Sequence, residues 1–147
     1  MRSSTVLKSD IRNHVIDIII GKIKKLEKFL DFTLEASREI KKTPKYDSIR
    51  EEMQEEIYQM QKQLASLKDL QRNMTKVLNT STQRVAVGSL VFTNKARFYI
   101  SVSLGEFFYE GDRFYAISEE VLWQRFSSVK KPEILLFSIT SPKLLKT

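Results

Sequence analysis

Pro44 is the residue that most constrains how this chain can fold. It is the only proline in the first 131 residues, and it lies between two long segments with helical hydrophobic spacing. A proline inside a helix removes a backbone hydrogen bond and clashes with the preceding turn. The position therefore predicts two helices joined by a short connection, with a reversal at residues 42–47.

The flanking segments support this hairpin. The first runs over about residues 9–42 and the second over about 46–79, and a connection of so few residues favours adjacent antiparallel helices. On the first, we expect the apolar seam at Ile16, Ile20, Ile23, Leu26, Leu30, Leu34 and Ile40. On the second, a heptad-like seam is expected at Ile49, Met53, Ile57, Met60, Leu64, Leu67, Leu70, Met74 and Leu78.

After residue 80 the pattern changes to that of short strands. Runs rich in Val, Ile, Phe and Tyr are punctuated by turn residues, and a short helix is expected over 119–126. The strand predictions are 90–93, 97–103, 106–109, 113–117 and 134–139. The sequence thus predicts an α+β protein: an antiparallel coiled-coil hairpin at 1–80 and a small antiparallel β domain at 81–147.

Composition excludes several classes of function. With no cysteine and one histidine, the chain cannot form a thiolate metal site, a cysteine nucleophile or a multi-histidine site. No signal-like core precedes Asp10, and the apolar run 15–20 is too short to cross a bilayer. We expect a cytoplasmic protein without membrane contact, whose net charge of +7 suits an acidic partner.

The order of hairpin and β domain resembles the Gre family of bacterial transcript-cleavage factors, particularly its short Bacteroidetes-type members. The matching stretches are 87-VGSLVFTN-94, 99-YISVSLG-105, 111-GDRFYAIS-118 and 63-QLASLKDLQ-71. The resemblance implies an FKBP-like β domain docked at the rim of the RNA polymerase secondary channel. The coiled coil would enter that channel, where tip acids help hold a Mg²⁺ shared with the polymerase beside the RNA 3′ end.

The family's tip pattern, Gly-Asp-x-x-Glu-Asn, falls on 43-TPKYDS-48. Pro44 takes the place of the first acid, and Asp47 takes that of the second. Asp47 is thus the candidate metal ligand, with Glu51 and Glu52 one turn further along, or else it is an ordinary cap of the second helix. Because cations repel a metal ion, the neighbouring Lys41, Lys42 and Lys45 predict weak or absent stimulation of cleavage.

The resemblance implies a transcription regulator that binds polymerase, with no tightly bound cofactor and no enzymatic activity beyond stimulating the polymerase's own cleavage. The partner-binding candidates are Lys41, Lys42, Lys45, Tyr46, Asp47, Trp123, Lys130 and Lys131. We expect a monomer, because a hairpin buries its own seam. The alternative is a coiled-coil module, unrelated to transcription, that self-associates through the 49–78 seam.

Three features of the sequence can each be interpreted in two ways. Trp123 is either a docking residue or part of the core. The lysines between residues 22 and 28 form either a solvated face or a contact with acidic channel walls and RNA. The β-domain aromatics near Arg97 and Arg113 either stack on bases or build the core.

The segment after Ser118 lacks the Ser-Pro pair and Gly-Lys segment usual in Gre-like proteins.

Overall fold

The computed structural model describes residues 4–77, 87–92 and 96–125. Two long helices, α1 (Ser4–Glu39) and α2 (Asp47–Met74), are followed by four strands and a short helix. The strands are β1 (Leu90–Phe92), β2 (Arg97–Ile100), β3 (Gly105–Tyr109) and β4 (Asp112–Ile117), and the helix is α3 (Glu119–Arg125). The predicted α+β class, a helical hairpin followed by a small sheet, is confirmed.

Contacts divide the chain into two compact units. One consists of residues 18–71, which form the greater part of the hairpin, and the other combines residues 1–17 with 72–147. The predicted boundary at residues 80 and 81 lies outside the described residues, as does the predicted strand 134–139. No helix in the described part of the chain combines the length and the apolarity needed to cross a membrane.

The unit of residues 18–71 is held together by the central part of the predicted antiparallel seam, whereas Ile49, which was also predicted in it, is exposed. Leu30 of α1 packs with Ile57 and Met60 of α2, and Leu26, Leu34 and Leu64 lie against this cluster. Lys68 Nζ lies 3.9 Å from a carboxylate oxygen of Glu27, on the exposed rim. Burial of these apolar side chains stabilises the folded unit. The exposed ion pair contributes little to its free energy of unfolding.

The first half of α1 buries a different stripe from the one predicted. The buried positions are Leu7, Ile11, Val15, Ile19 and Ile23. Ile16 and Ile20, which were expected in the seam, are only half-buried. The run 15-VIDIII-20 is apolar on two neighbouring faces, so its periodicity alone could not choose between them.

The strand order in the sheet is β1-β2-β4-β3. The β3–β4 hairpin turns through Glu110 and Gly111, both with positive φ (50° and 84°), as a two-residue hairpin turn requires. Because β4 inserts between β3 and β2, it pairs antiparallel with β3 but parallel with β2. The sheet is therefore mixed, and the prediction of a purely antiparallel sheet is wrong.

Both faces of the sheet carry apolar side chains. Val91, Phe98, Ile100 and Ile117 pack with Leu122 of α3 on one face. Phe107 and Phe114 lie on the other, with their rings stacked at 5.5 Å between centroids. These buried aromatic residues form part of the core. Of the two interpretations given above, the structure therefore favours a core role for them over stacking on bases.

His14 attaches α1 to the edge strand β3. Its Nε2 lies 2.6 Å from the carbonyl oxygen of Phe108, and since a carbonyl only accepts, Nε2 carries the proton. The ring also lies against Phe107 and Tyr109, at 6.1 and 5.4 Å between centroids. This contact satisfies one carbonyl on the side of β3 that no other described strand pairs with.

Arg12 caps the C-terminus of α2 from the neighbouring helix. Its guanidinium donates to the carbonyl oxygens of Val77 at 2.8 Å and Met74 at 3.3 Å. The last carbonyls of a helix have no partner within the helix, and a cation there also suits the helix dipole. Met74 and Val77 are themselves almost fully buried, so these carbonyls have little access to water.

We predict that Arg12→Ala lowers the free energy of unfolding by about 1–3 kcal/mol, because it removes the side-chain donor from the partly buried Val77 carbonyl and one of two donors from the Met74 carbonyl, which also accepts from the Val77 amide. Urea denaturation followed by circular dichroism measures the change. Arg38→Ala, on the exposed surface of the same helix, should change it by less than about 0.5 kcal/mol. An equally small effect of both substitutions would contradict the capping role.

Tyr99 gives a second prediction. Its phenol is buried, and no described group forms a hydrogen bond with its hydroxyl. Burial raises the pKa of Tyr99 to about 12, although the Arg12 guanidinium opposes the shift. Because an unsatisfied buried hydroxyl is unfavourable, Tyr99→Phe should leave stability at pH 7 unchanged or raise it by up to about 1 kcal/mol.

The same group makes stability depend on pH. Between pH 10 and 12 the phenol ionises in the unfolded chain but not in the folded one, so the wild type should lose up to about 2–3 kcal/mol over this range. Tyr99→Phe should remove that part of the alkaline loss. Parallel urea titrations at pH 8 and 11 measure it, and identical losses in both proteins would contradict the assignment.

Candidate functional site

The hairpin tip has a defined backbone. α1 ends at Glu39, and Pro44–Tyr46 form a single 3₁₀ turn in which the Tyr46 amide donates to the Thr43 carbonyl at 3.0 Å. Thr43 is extended, at φ −118° and ψ 153°, a conformation favoured by the proline that follows. α2 begins at Asp47. The break between the two long helices thus falls at residues 40–46.

The tip is strongly basic and exposed. Lys41, Lys42 and Lys45 all lie in solvent. The ammonium of Lys45 lies 5.7 Å from the centre of the Tyr46 ring, so these two partner-binding candidates contact each other. Counting Arg50, residues 41–50 carry four exposed or half-exposed cations and a single carboxylate, that of Asp47.

Asp47 is already paired with a cation. Its carboxylate accepts a hydrogen bond from the Arg50 guanidinium, three residues along α2. Its backbone is helical, at φ −58° and ψ −44°, and its amide donates to the Pro44 carbonyl. Asp47 is therefore the first residue of α2, where a negative charge suits the helix dipole, rather than a residue in the extended cap conformation.

The two other acidic candidates have different positions. Asp47, Glu51 and Glu55 are spaced by four and line one shallow cleft together with Arg50 and Gln54. Glu55 accepts a hydrogen bond from Gln59 at 2.9 Å. Glu52 does not line this cleft. Of the candidates, only Glu51 thus shares a surface with Asp47.

The tip does not fit a divalent cation well. Mg²⁺ prefers carboxylate oxygens free of competing cations, whereas Asp47 is engaged by Arg50 and lies beside Lys45. Within residues 4–77, 87–92 and 96–125, no three or more acidic or histidine side chains are grouped closely enough to bind a metal ion. The donor set of the tip suits contact with anions better than metal coordination.

The remaining partner-binding candidates lie in the second unit. Trp123 belongs to α3, but its side chain lies outside the described part of the structure, as do Lys130 and Lys131 altogether. A different surface is described on the sheet, where the Arg113 guanidinium lies 5.8 Å from the Phe108 ring centre. Because Arg113 and Arg97 also lie within 4.0 Å of Glu106 and Asp112, their charges are partly neutralised.

Two aromatic residues that sequence reasoning did not identify are exposed on α1. Phe29 and Phe32 are 58% and 68% accessible, and they line a cleft with lysines from the same helix. The unbroken helical pattern indicated that they lie off the seam at 26, 30 and 34. Only the structure shows that α2 leaves them uncovered.

Comparison with known proteins gave no match, whether to family models, to curated proteins or to solved structures.

The tip geometry gives a direct prediction about metal binding. The isolated chain should show no saturable Mg²⁺ binding by calorimetry up to about 10 mM, because one or two exposed carboxylates beside cations hold Mg²⁺ weakly. Asp47→Ala is the matched control and should give the same trace. Saturable binding that disappears in Asp47→Ala would show that the carboxylate recruits metal despite Arg50.

Proposed function

We propose that this chain is a Gre-like factor that binds the secondary channel of bacterial RNA polymerase and modulates paused or backtracked elongation complexes. It would do so with weak or no stimulation of transcript cleavage. The partner would place it in the bacterial cytoplasm. Any chemistry belongs to the polymerase, and the chain itself contributes binding rather than catalysis.

The observation that carries this proposal is a two-helix hairpin with an exposed basic tip. Two packed α-helices form a narrow element, about 10 Å by 20 Å in cross-section, with side chains included. Its tip presents Lys41, Lys42 and Lys45 at the reversal. Such an element can enter a confined acidic passage and place positive charge at its far end.

The weak or absent cleavage stimulation in the proposal rests on Asp47. A tip that recruits a second metal needs carboxylates whose charge is available, because a metal activates water by its own uncompensated charge. Here one acidic position is Pro44, and the other carboxylate is neutralised by Arg50. The tip therefore supports occupancy of the channel more than delivery of a metal.

The packing of α2 gives less support to self-association through the 49–78 seam. Its central residues, Ile57 and Met60, are buried against Leu30 of the same chain. A dimer through this seam would have to open the hairpin and lose that burial. The packing thus favours a chain whose heptad positions are buried within its own hairpin.

The decisive test is a stalled, backtracked elongation complex with RNA labelled so that its 3′ end is resolved. We expect this chain to leave the RNA intact in the presence of Mg²⁺, yet to inhibit cleavage stimulated by an active Gre factor. Asp47→Ala should inhibit equally well. RNA shortening that depends on Asp47 would contradict a non-cleaving tip, and absence of both cleavage and competition would overturn the polymerase assignment.

The tip lysines provide a graded version of this test. Reversing Lys41 and Lys42 together to glutamate should raise the concentration needed for half-maximal competition by about tenfold, since exposed charges contribute up to about 1 kcal/mol each. Lys62→Glu with Lys76→Glu makes the same charge change on exposed residues away from the tip. Equal losses for both pairs would indicate a nonspecific effect of net charge.

A further inference from the structure

A cleft with an apolar floor and a basic rim lies on the outside of the hairpin, within the unit of residues 18–71. Its volume is about 680 Å³. We call it the α1 groove. It is lined by Leu26, Phe29, Phe32, Gln63 and Leu67, with Lys22, Lys25 and Lys28 at its rim.

The two phenylalanines of the α1 groove are not part of the intramolecular seam, although the neighbouring Leu26 packs against it. Phe29 and Phe32 are 58% and 68% exposed, whereas Leu30, between them, is buried against α2. Covering two phenylalanine rings removes apolar area from water, which is favourable by about 25 cal/mol per Å². Neighbouring exposed rings of this kind mark an interaction surface more often than single exposed residues do.

The basic rim identifies the charge of the occupant. None of Lys22, Lys25 and Lys28 forms an ion pair with another described residue. They lie on one side of α1 within about two turns, so their charges add at short range. An occupant that covers the rings and carries negative charge beside these ammonium groups is therefore favoured.

The chain itself carries such a surface. On α2, Ile49, Glu52 and Glu56 are spaced by three and four, which places them on one side of the helix. We call this the α2 acidic face. Ile49 is 48% exposed, and neither glutamate forms an ion pair within the described part of the chain. The face thus combines an uncovered apolar side chain with two uncompensated carboxylates.

We propose that the occupant of the α1 groove is the α2 acidic face of a second copy of this chain. The contact would be reciprocal, so that two grooves and two acidic faces are used in one two-fold dimer. It uses the outside of the hairpin and leaves the Leu30–Ile57–Met60 seam intact. The proposal does not depend on the polymerase partner.

This contact is expected to be weak. The groove extends over about 15 Å of helix, from Lys22 to Phe32, and each partner would bury less than the roughly 800 Å² of a standard stable interface. Dimers should therefore form in the range of about 10 µM to 1 mM. Because the rim charges are exposed, raising the salt concentration to about 1 M should weaken association.

Sedimentation velocity on the full chain over that concentration range tests the proposal. The mass should rise from 17.2 kDa towards twice that value in the wild type, and it should stay at the monomer value when Phe29 and Phe32 are both replaced by serine. Phe108→Ser, at a comparably exposed ring (53%) outside the α1 groove, should dimerise normally. Circular dichroism checks that both variants keep the helix content of the wild type.

Charge exchange gives the sharper result. Lys25→Glu/Lys28→Glu and Glu52→Lys/Glu56→Lys should each be monomeric alone, because groove and face then carry the same charge. An equimolar mixture should dimerise, since both contacts of the mixed pair are again complementary. Lys41→Glu/Lys42→Glu changes the net charge equally and should dimerise as the wild type does.

Three outcomes would overturn the proposal. The first is a wild type that remains monomeric up to about 1 mM, above the dissociation constant expected for a weak protein contact. The second is a dimer that persists after both phenylalanines are replaced. The third is a monomer that binds vesicles of phosphatidylcholine and phosphatidylserine through Phe29 and Phe32, which would identify the groove as a membrane-contact surface.

Discussion

The pairing of α1 with α2 is the interaction on which the rest of the hairpin depends. In proteins, most of the stability of a helix comes from burying an apolar face against the rest of the chain. Leu30, Ile57 and Met60 provide that burial in the unit of residues 18–71. The break at Pro44 lets one chain supply both helices, and it also places four cations around one reversal.

In the other unit, helix α1 and the sheet stabilise each other through polar contacts as well as apolar ones. Arg12 donates to the carbonyl of Met74, the last residue of α2, and to that of Val77 just beyond it, and His14 contacts a carbonyl on the β3 edge. Both residues lie in the same two turns of α1, near the buried Ile11 and Val15. The His14 contact occupies one backbone carbonyl of β3 that would otherwise be available to another strand.

Much of the fold could be predicted from the sequence, because the hydrophobic periodicity and the positions of the turn-forming residues indicate the same elements. Pro44 marked the reversal, and the Glu110–Gly111 turn separated two strands at the correct place. Sheet topology could not be derived in the same way. The parallel pairing of β2 with β4 depends on β4 entering between β2 and β3, which leaves no local trace in the sequence.

At the candidate site, too, some features could be predicted from the sequence and others could not. Exposure of Lys41, Lys42 and Lys45 followed from their position at a turn, but the pairing of Asp47 with Arg50 required the geometry of the first turn of α2. Likewise, the position of Phe29 off the seam was readable from the spacing. Whether α2 covers Phe29 depends on the size of the α2 side chains next to it, Gln63 and Leu67. The hydrophobic periodicity of the sequence does not contain that information.

The two proposed contacts use the hairpin in ways that exclude each other. Insertion into a channel requires a cross-section of two helices, whereas a dimer through the α1 groove and the α2 acidic face makes a bundle of four, about twice as thick. The same Lys25 and Lys28 that would meet an acidic channel wall would be covered by Glu52 and Glu56 of the second copy. Because the dimer is expected only at high concentration, dilution alone would release hairpins free to insert. Self-association would thus limit channel occupancy without any change in the tip, since Asp47 and its Arg50 partner lie outside the groove.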